Sequence, residues 1–515
     1  MAVGTLLSRV TGFGRLAAMA YALGFTRLTD SYNLANTTPN IIYDLVLGGI
    51  LASFIVPVFV DQLTSNDEEE AWDAISAIVT AAVALLVVTS VVLAAIAPAV
   101  IRLYSLRLHG SAARDQQAVA TALLRMFAPQ LLFYGVTALI AAVLNARRRF
   151  FLPMAVPVLN NLIVIALFLS LPHLSHSLTL GGVRHRTGLQ LLLGLGTTAG
   201  VLVQAVALLP ALRRTARRLR FRWDPRHPAL RRVVRLSAWT FGYVITNQVS
   251  LWIALVLANG TAGGISAYSA AYMFFQLPYG ILAVSILTAL TPDLAERWSL
   301  GDREGFRQRI SLGLRTVALV MLPAAVGYLV LARPVVTLLI QHGALRAAQA
   351  ATTADVLALF AVGLPAFSAY LLFIRGYTSM QDTRTPFLIN VMENALTVAL
   401  DLILYPLMGV TGLALGFTLA YVVGAGVAGW DLRRRAGGLD GAAVGRSVSR
   451  IATATAVMAA AVVVVDRIVP GDHGVALLGR VGLVVAVGVG VYLAAARAAG
   501  VRELSVVLQL RRRPA

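Results

Sequence analysis

The chain has 515 residues, 58% of them hydrophobic and 13% charged, with a mean hydropathy of +0.79. That composition excludes a soluble protein of this size and calls for a polytopic membrane protein. There is no cysteine, which excludes disulfides and thiolate metal sites, and the net charge of +20 sits in loops between apolar spans, where it sets topology rather than binding nucleic acid.

The first apolar segment, 3–24, carries Arg9 and Arg15 inside its apolar run. Charge at that depth costs about 2.5–3.5 kcal/mol per residue on insertion scales, so it faces a bundle interior or a water-filled cavity unless it snorkels to a membrane face. No acidic residue precedes Asp30, so the two guanidiniums form an unpaired positive site. Arginine matches phosphate geometry in a bidentate way, and a buried cation without a protein partner expects an anionic ligand. On a helix the two stand roughly 9 Å and about 120° apart, enough to line a broad cavity together but not one narrow stripe. This segment runs directly into the next, which predicts no cleavable leader.

The second segment, 34–60, is interrupted by Pro39, Gly48, Gly49 and Pro57. Such breaks survive in a membrane only where protein or water satisfies the freed groups. Asn40, Tyr43 and Asp44 follow Pro39 and read as a second wall of the cavity. Further runs of about 20 residues, long enough to cross a bilayer, fall at 73–101, 117–145, 153–172, 188–212, 237–259, 266–292, 308–333, 354–380, 386–406, 410–432, 449–466 and 474–499. The expectation is an all-α polytopic membrane protein of fourteen transmembrane helices.

With the N-terminus inside, the inner loops and C-terminal tail hold twenty-eight arginines and the outer loops eight, which predicts cytoplasmic N- and C-termini. The acidic stretch 61–72 lies inside on this count, and acidic residues weigh little in topology. The basic 213–235 stretch reads as a topology anchor on anionic membrane lipid, with a partner site as the alternative.

An internal repeat is visible. GILA at 49–52 recurs at 280–283, each copy flanked by prolines, and PMAVPVLNNLIVIAL at 153–167 parallels PFLINVMENALTVAL at 386–400. The offset covers six helices, an even number, so the halves share one orientation, a transporter architecture with the substrate site between them. The expected organisation is an N-lobe at 1–212, a basic cytoplasmic linker at 213–236, a pseudo-symmetric C-lobe at 237–435, and two final helices with a basic tail at 436–515.

Catalytic signals are poor: the histidines are scattered without metalloprotease spacing, and there is no P-loop. Uphill work would therefore draw on an ion gradient or the membrane potential rather than a cofactor. Asp44, Glu393 and Asp401 are the intramembrane acids, each a functional candidate or a plain interhelical hydrogen bond. Asp401, near a helix end, could also face the interface. Gln276 before Pro278 reads as a ligand contact or a hydrogen bond, and Ser266 as a site residue or an N-cap.

SRVTGFGR at 8–15, TD at 29–30, PN at 39–40 and the GGILASFIVP run resemble the start of the MurJ/MviN family, the lipid II flippases of the MOP superfamily. FYGVTALIAAVLNARRRFFLPMAVPVLNN at 133–161 and YMFFQLPYGILAVSILTALTP at 272–292 are similar to later helices of that family. The resemblance implies that Arg9 and Arg15 engage the lipid-linked pyrophosphate, with Asp30, Asn40 and Ser266 as further site residues, and that a groove at the last two helices takes the polyprenyl tail. It also implies a role in peptidoglycan synthesis and partners among wall-synthesis or division proteins. Tyr43 and Asp44 stand where many members carry an arginine pair, Met273 replaces an arginine and Gln276 a glutamate, a pattern similar to actinobacterial members. A sodium site known in some members would involve Asp401 with Thr397, but Ala254 stands where the helix 7 acid would be. Rival expectations are another MOP exporter, of undecaprenyl-linked oligosaccharide or drug-like cations, a polytopic glycosyltransferase, or a non-transporting scaffold. Arginines rather than acids in the first helix argue against the cation exporter.

Overall fold

Apolar runs of this length leave backbone donors without water, and helix is the local solution that satisfies them. The computed structural model is accordingly all-helical, with no strand among the described residues. It describes residues 2–48, 59, 68–175, 178–215, 219–224, 226–228 and 238–504. The GILA copy at 49–52, Pro57, most of the acidic loop, positions 229–237 of the linker and the tail after 504 lie outside them.

In chain order the main helices are α1 (Ala2–Leu23), α2 (Arg27–Tyr43), α3 (Glu68–Tyr104), α4 (Gly110–Ala146), α5 (Pro157–Leu174), α6 (Thr187–Val206), α7 (Ala238–Ala258), α8 (Gly264–Pro278), α9 (Val284–Ser299), α10 (Arg303–Ile340), α11 (Ala347–Ser379), α12 (Arg384–Met408), α13 (Val410–Arg435), α14 (Gly441–Ile468) and α15 (Gly474–Ala498). Among the described residues, twelve helical stretches are long and apolar enough to cross a membrane; α1 and α2 are not among them. The chain is thus a multi-span helical membrane protein. Several helices exceed the predicted spans: α3 and α4 have 37 residues each, about 55 Å at 1.5 Å per residue, against a hydrocarbon core of about 30 Å. A short helix at Leu180–His185, which hydropathy does not pick out, precedes α6.

The chain divides into two compact units, 1–266 with 342–346, and 267–341 with 347–515. In the first, α1 packs on α5, α2 on α4, and α4 on α3 and α6. Tyr32 of α2 is fully buried, edge-on to Phe127 and Phe168 at centroid distances of 5.5 and 5.3 Å, and shares a hydrogen bond of 2.9 Å with Thr197. One phenol thereby joins α2, α4, α5 and α6. Described residues 219–224 of the linker run along α3: the Arg220 and Arg222 amides donate to Ser76 and Thr80, and Arg222 pairs with Asp73. This part of the linker is docked on protein.

In the second unit, α10 packs on α11 and α14, and α13 lies between α11 and α12. Tyr272, Phe275, Phe360, Phe367, Phe417 and Tyr421 form a continuous aromatic cluster. A single residue, Gly409, at φ +63°, turns α12 back along α13. A Cβ at Gly412 would lie 2.5 Å from the Leu404 carbonyl oxygen, so small residues let these backbones approach. Gly412→Val is expected to cost about 1–3 kcal/mol, read as a lower thermal midpoint in detergent.

Candidate functional site

The structure gathers most of the sequence-predicted residues of the first unit into two groups. The first is built on α1. Asn161 of α5 donates to the Ser8 carbonyl at 3.2 Å and to Thr11 Oγ1 at 3.0 Å, while Gly4 seats α1 against Met154. The outward face of α1 is Leu6, Leu7 and Val10, each about half exposed or more. Arg9 and Arg15 are half-buried and lie apart from those apolar positions. Among the described residues neither has a carboxylate within salt-bridge distance, and Arg9 Nε is buried with no hydrogen-bond partner.

Arg15 lies within electrostatic reach of Tyr134 on α4, and the Asn40 side chain, which donates to the Asn36 carbonyl at 3.0 Å, lies close to the same phenol. The Tyr43 ring stands 6.3 Å from the Tyr134 ring. Arg15, Asn40 and Tyr43 are thus brought together around Tyr134. The sequence analysis did not single out that residue, although it lies inside the quoted FYGV stretch. Asp44 accepts a 3.2 Å hydrogen bond from Gln248 of α7, which satisfies it structurally. It opens a π-helical segment, Asp44–Gly48, five residues after Pro39.

The second group is a buried polar knot. Asp30 is fully buried and accepts from the Gly263 amide at 2.6 Å, the Ser266 amide at 3.0 Å and the Ser266 hydroxyl at 2.8 Å. Asn33 donates to the same hydroxyl at 3.1 Å. Ser266 therefore ties α2 to the start of α8 and does not cap its own helix. Arg27 donates to the Asn259 and Gly260 carbonyls at 2.5 and 3.2 Å, and the Asn259 side chain bonds Gln116 and the Tyr104 carbonyl. Gly263 has φ +78°, and a Cβ there would meet the Phe25 carbonyl oxygen at 2.3 Å. Close approach and backbone angle both require glycine there. Ser266→Ala removes two of these contacts and is expected to cost about 1–3 kcal/mol, checked by thermal unfolding.

In the second unit, Gln276 lies close to the Tyr272 phenol, one turn earlier on its own helix. Asp401 is 1% exposed, so it does not face the interface, and its Oδ1 has no hydrogen-bond partner. Thr397 donates not to Asp401 but to Glu393 Oε1, at 3.0 Å, and Asn394 donates to Glu393 Oε2 at 2.9 Å. Gly416 and Gly424 of α13 make room for the two acids: a Cβ at the first would lie 2.5 Å from Asp401 Oδ1, and at the second 3.2 Å from Glu393 Cγ. Among the described residues no three histidine, aspartate or glutamate side chains group as a metal site.

A multi-span helical fold whose first helix carries two arginines without a carboxylate partner among the described residues has the character of a membrane transporter. Residues 19–481 match the family model for the lipid II flippase MurJ. The chain is 27% identical over 510 residues to a probable lipid II flippase MurJ of Thermotoga maritima, covering 98% of this chain and 97% of the relative. It is 28% identical over 421 residues to the lipid II flippase MurJ of Burkholderia cenocepacia, covering 80% and 78%. Its fold is similar to a solved lipid II flippase MurJ in an inward closed conformation, with a TM-score of 0.76, 19% identity and coverage of 96% and 97%. An inward-facing multidrug MATE transporter of the MOP superfamily gives a TM-score of 0.68 at 14% identity, covering 85% and 98%. The chain belongs to the MurJ lipid II flippase family and is a transporter rather than an enzyme.

Proposed function

We infer that the chain carries lipid II from the cytoplasmic to the outer leaflet of the cell membrane by alternating access, with Arg9 and Arg15 holding the diphosphate. The observation that carries this reading is the buried, unpartnered Arg9 Nε, beside two guanidiniums without carboxylate partners among the described residues. A phosphate oxygen would satisfy that donor and offset the charge. Asn40, Tyr43 and Tyr134 shape the polar wall next to Arg15, while Asp30 and Ser266 act by positioning α2. Gln276 contributes through the aromatic cluster rather than as an isolated ligand.

Fourteen spans with both termini cytoplasmic accord with the arginine distribution. A π-helical segment adjoins each GILA copy of the proposed two-lobe repeat: Asp44–Gly48 directly precedes the first, and Tyr279–Ala283 contains the second. An apolar cavity of about 360 Å³, lined by Leu319, Pro323 and Gly327 of α10, Met458 and Val462 of α14, and Tyr492 of α15, suits the polyprenyl tail. Asp401, with Thr397 acting through Glu393, is the candidate ion-coupling position.

The test is outer-leaflet lipid II accessibility in cells depleted of their own flippase. The unaltered chain is expected to restore it. Arg9→Ala and Arg15→Ala, at equal expression, are expected to lower it at least about tenfold, as loss of a charge-assisted contact implies. Unchanged accessibility in both would overturn the diphosphate role.

A further inference from the structure

The tail cavity does not end in apolar surface. Leu319 lines it, and one turn earlier on α10 stands Arg315, which lines a second cavity of about 200 Å³ together with Arg446 and Arg450 of α14 and Arg502 beyond α15. Glu503 lines the basic cavity and Leu504 the apolar one, so the two meet end to end. Four arginines surround one carboxylate, Glu503, which pairs with Arg315 at 2.6 Å. Arg450 leans on the Gly500 carbonyl at 3.1 Å, and Arg446 has no ion pair among the described residues. The Ser447 hydroxyl, in the same cavity and 8% exposed as a residue, has no hydrogen-bond partner.

The lining comes from the starts of α10 and α14 and the end of α15, the membrane end that carries the arginine excess. A basic chamber there, opening onto an apolar groove running deeper, has the polarity of an inner-leaflet lipid: phosphate at the surface, chain inward. The net charge of +3 favours a diphosphate diester, charged on both phosphoryl groups, over a phosphodiester, charged on one.

We propose that the Arg315–Arg446–Arg450–Arg502 cavity is a loading site that docks the diphosphate of the polyprenyl carrier before Arg9 and Arg15 take it over. This rests on the tail-groove reading above. Binding is measured by native mass spectrometry on the purified full chain, with undecaprenyl diphosphate as probe, in an Arg9→Ala/Arg15→Ala background. Residual binding is expected there, falling at least about tenfold on adding Arg446→Gln/Arg450→Gln. Glu503→Gln, which removes the competing carboxylate, is expected to tighten it several-fold, and that gain keeps the test open should the arginine variants misfold. Residual binding indifferent to these substitutions overturns the loading site. No residual binding also overturns it while upholding Arg9 and Arg15 as the diphosphate site. Failure of that other reading shows separately, as undiminished binding in Arg9→Ala/Arg15→Ala flanked by unimpaired flipping. Equal retention of phosphatidylglycerol would make the cavity a general phospholipid site, and full displacement by inorganic pyrophosphate at equal concentration would remove the groove from it; either overturns the proposal.

Discussion

Asp30→Ala is expected to destabilise the first unit by about 3–6 kcal/mol, even with no lipid present. The substitution leaves three buried donors without an acceptor: the Gly263 amide, the Ser266 amide and the Ser266 hydroxyl. Each buried unsatisfied donor costs about 1–3 kcal/mol, and whole-domain stabilities are only about 5–15 kcal/mol. Asp30→Asn keeps one acceptor oxygen but turns an NH₂ group toward the Gly263 amide or the Ser266 donors, so it is expected to fall between wild type and alanine. The measurement is thermal unfolding in detergent for the series Asp30→Ala, Asp30→Asn, Ser266→Ala. A midpoint unchanged in Asp30→Ala, with flipping lost, would make Asp30 a direct ligand instead of a tie between α2 and the start of α8.

That knot also marks where the sequence stops being informative. Asp30 and Ser266 each stand out as polar residues in apolar surroundings, because the bilayer makes polar groups conspicuous by their cost. Nothing in a linear reading pairs them across more than two hundred positions, and Ser266 at the opening of a helix looks like an N-cap. The helices themselves were legible, since an apolar run of about 20 residues has one backbone solution in lipid. Their ends were not: α3 begins in the acidic EEEAW stretch, where helix propensity and packing, not hydropathy, extend the element. The unpaired arginines of α1 were legible because the acids in reach along the chain could be counted. Tyr134 was not, because an aromatic residue in an apolar run looks like core until Asn40 and Arg15 are found beside it. Glu393 was legible as an intramembrane acid, but its hold on Thr397, a residue that the family resemblance set beside Asp401, was not.

Glu393→Gln and Asp401→Asn are expected to leave the chain folded while lowering flipping at least about tenfold. Both acids are 1% exposed, and no salt bridge joins either to a cation among the described residues. For Asp401, whose Oδ1 has no partner, a neutral isostere removes an unfavourable contribution rather than a bond, while for Glu393 the relief of a buried charge is set against the loss of one of its two hydrogen bonds. Glutamine keeps an acceptor for Thr397 and a volume that Gly424 already accommodates. Asparagine at 401 fills the same space against Gly416. The cation that would make these carboxylates useful is supplied by the medium, and its signature is linkage: a bound ion at about a hundred times its dissociation constant stabilises the folded state by about 2.7 kcal/mol. The thermal midpoint of the unaltered protein is therefore expected to rise between choline and sodium buffers at fixed ionic strength if sodium is that ion, and the rise to vanish in Asp401→Asn. A midpoint indifferent to sodium, with flipping still lost in both variants, assigns the coupling to protons. Flipping undiminished in both variants would remove the pair from the transport cycle altogether and leave it as a packing feature between α12 and α13.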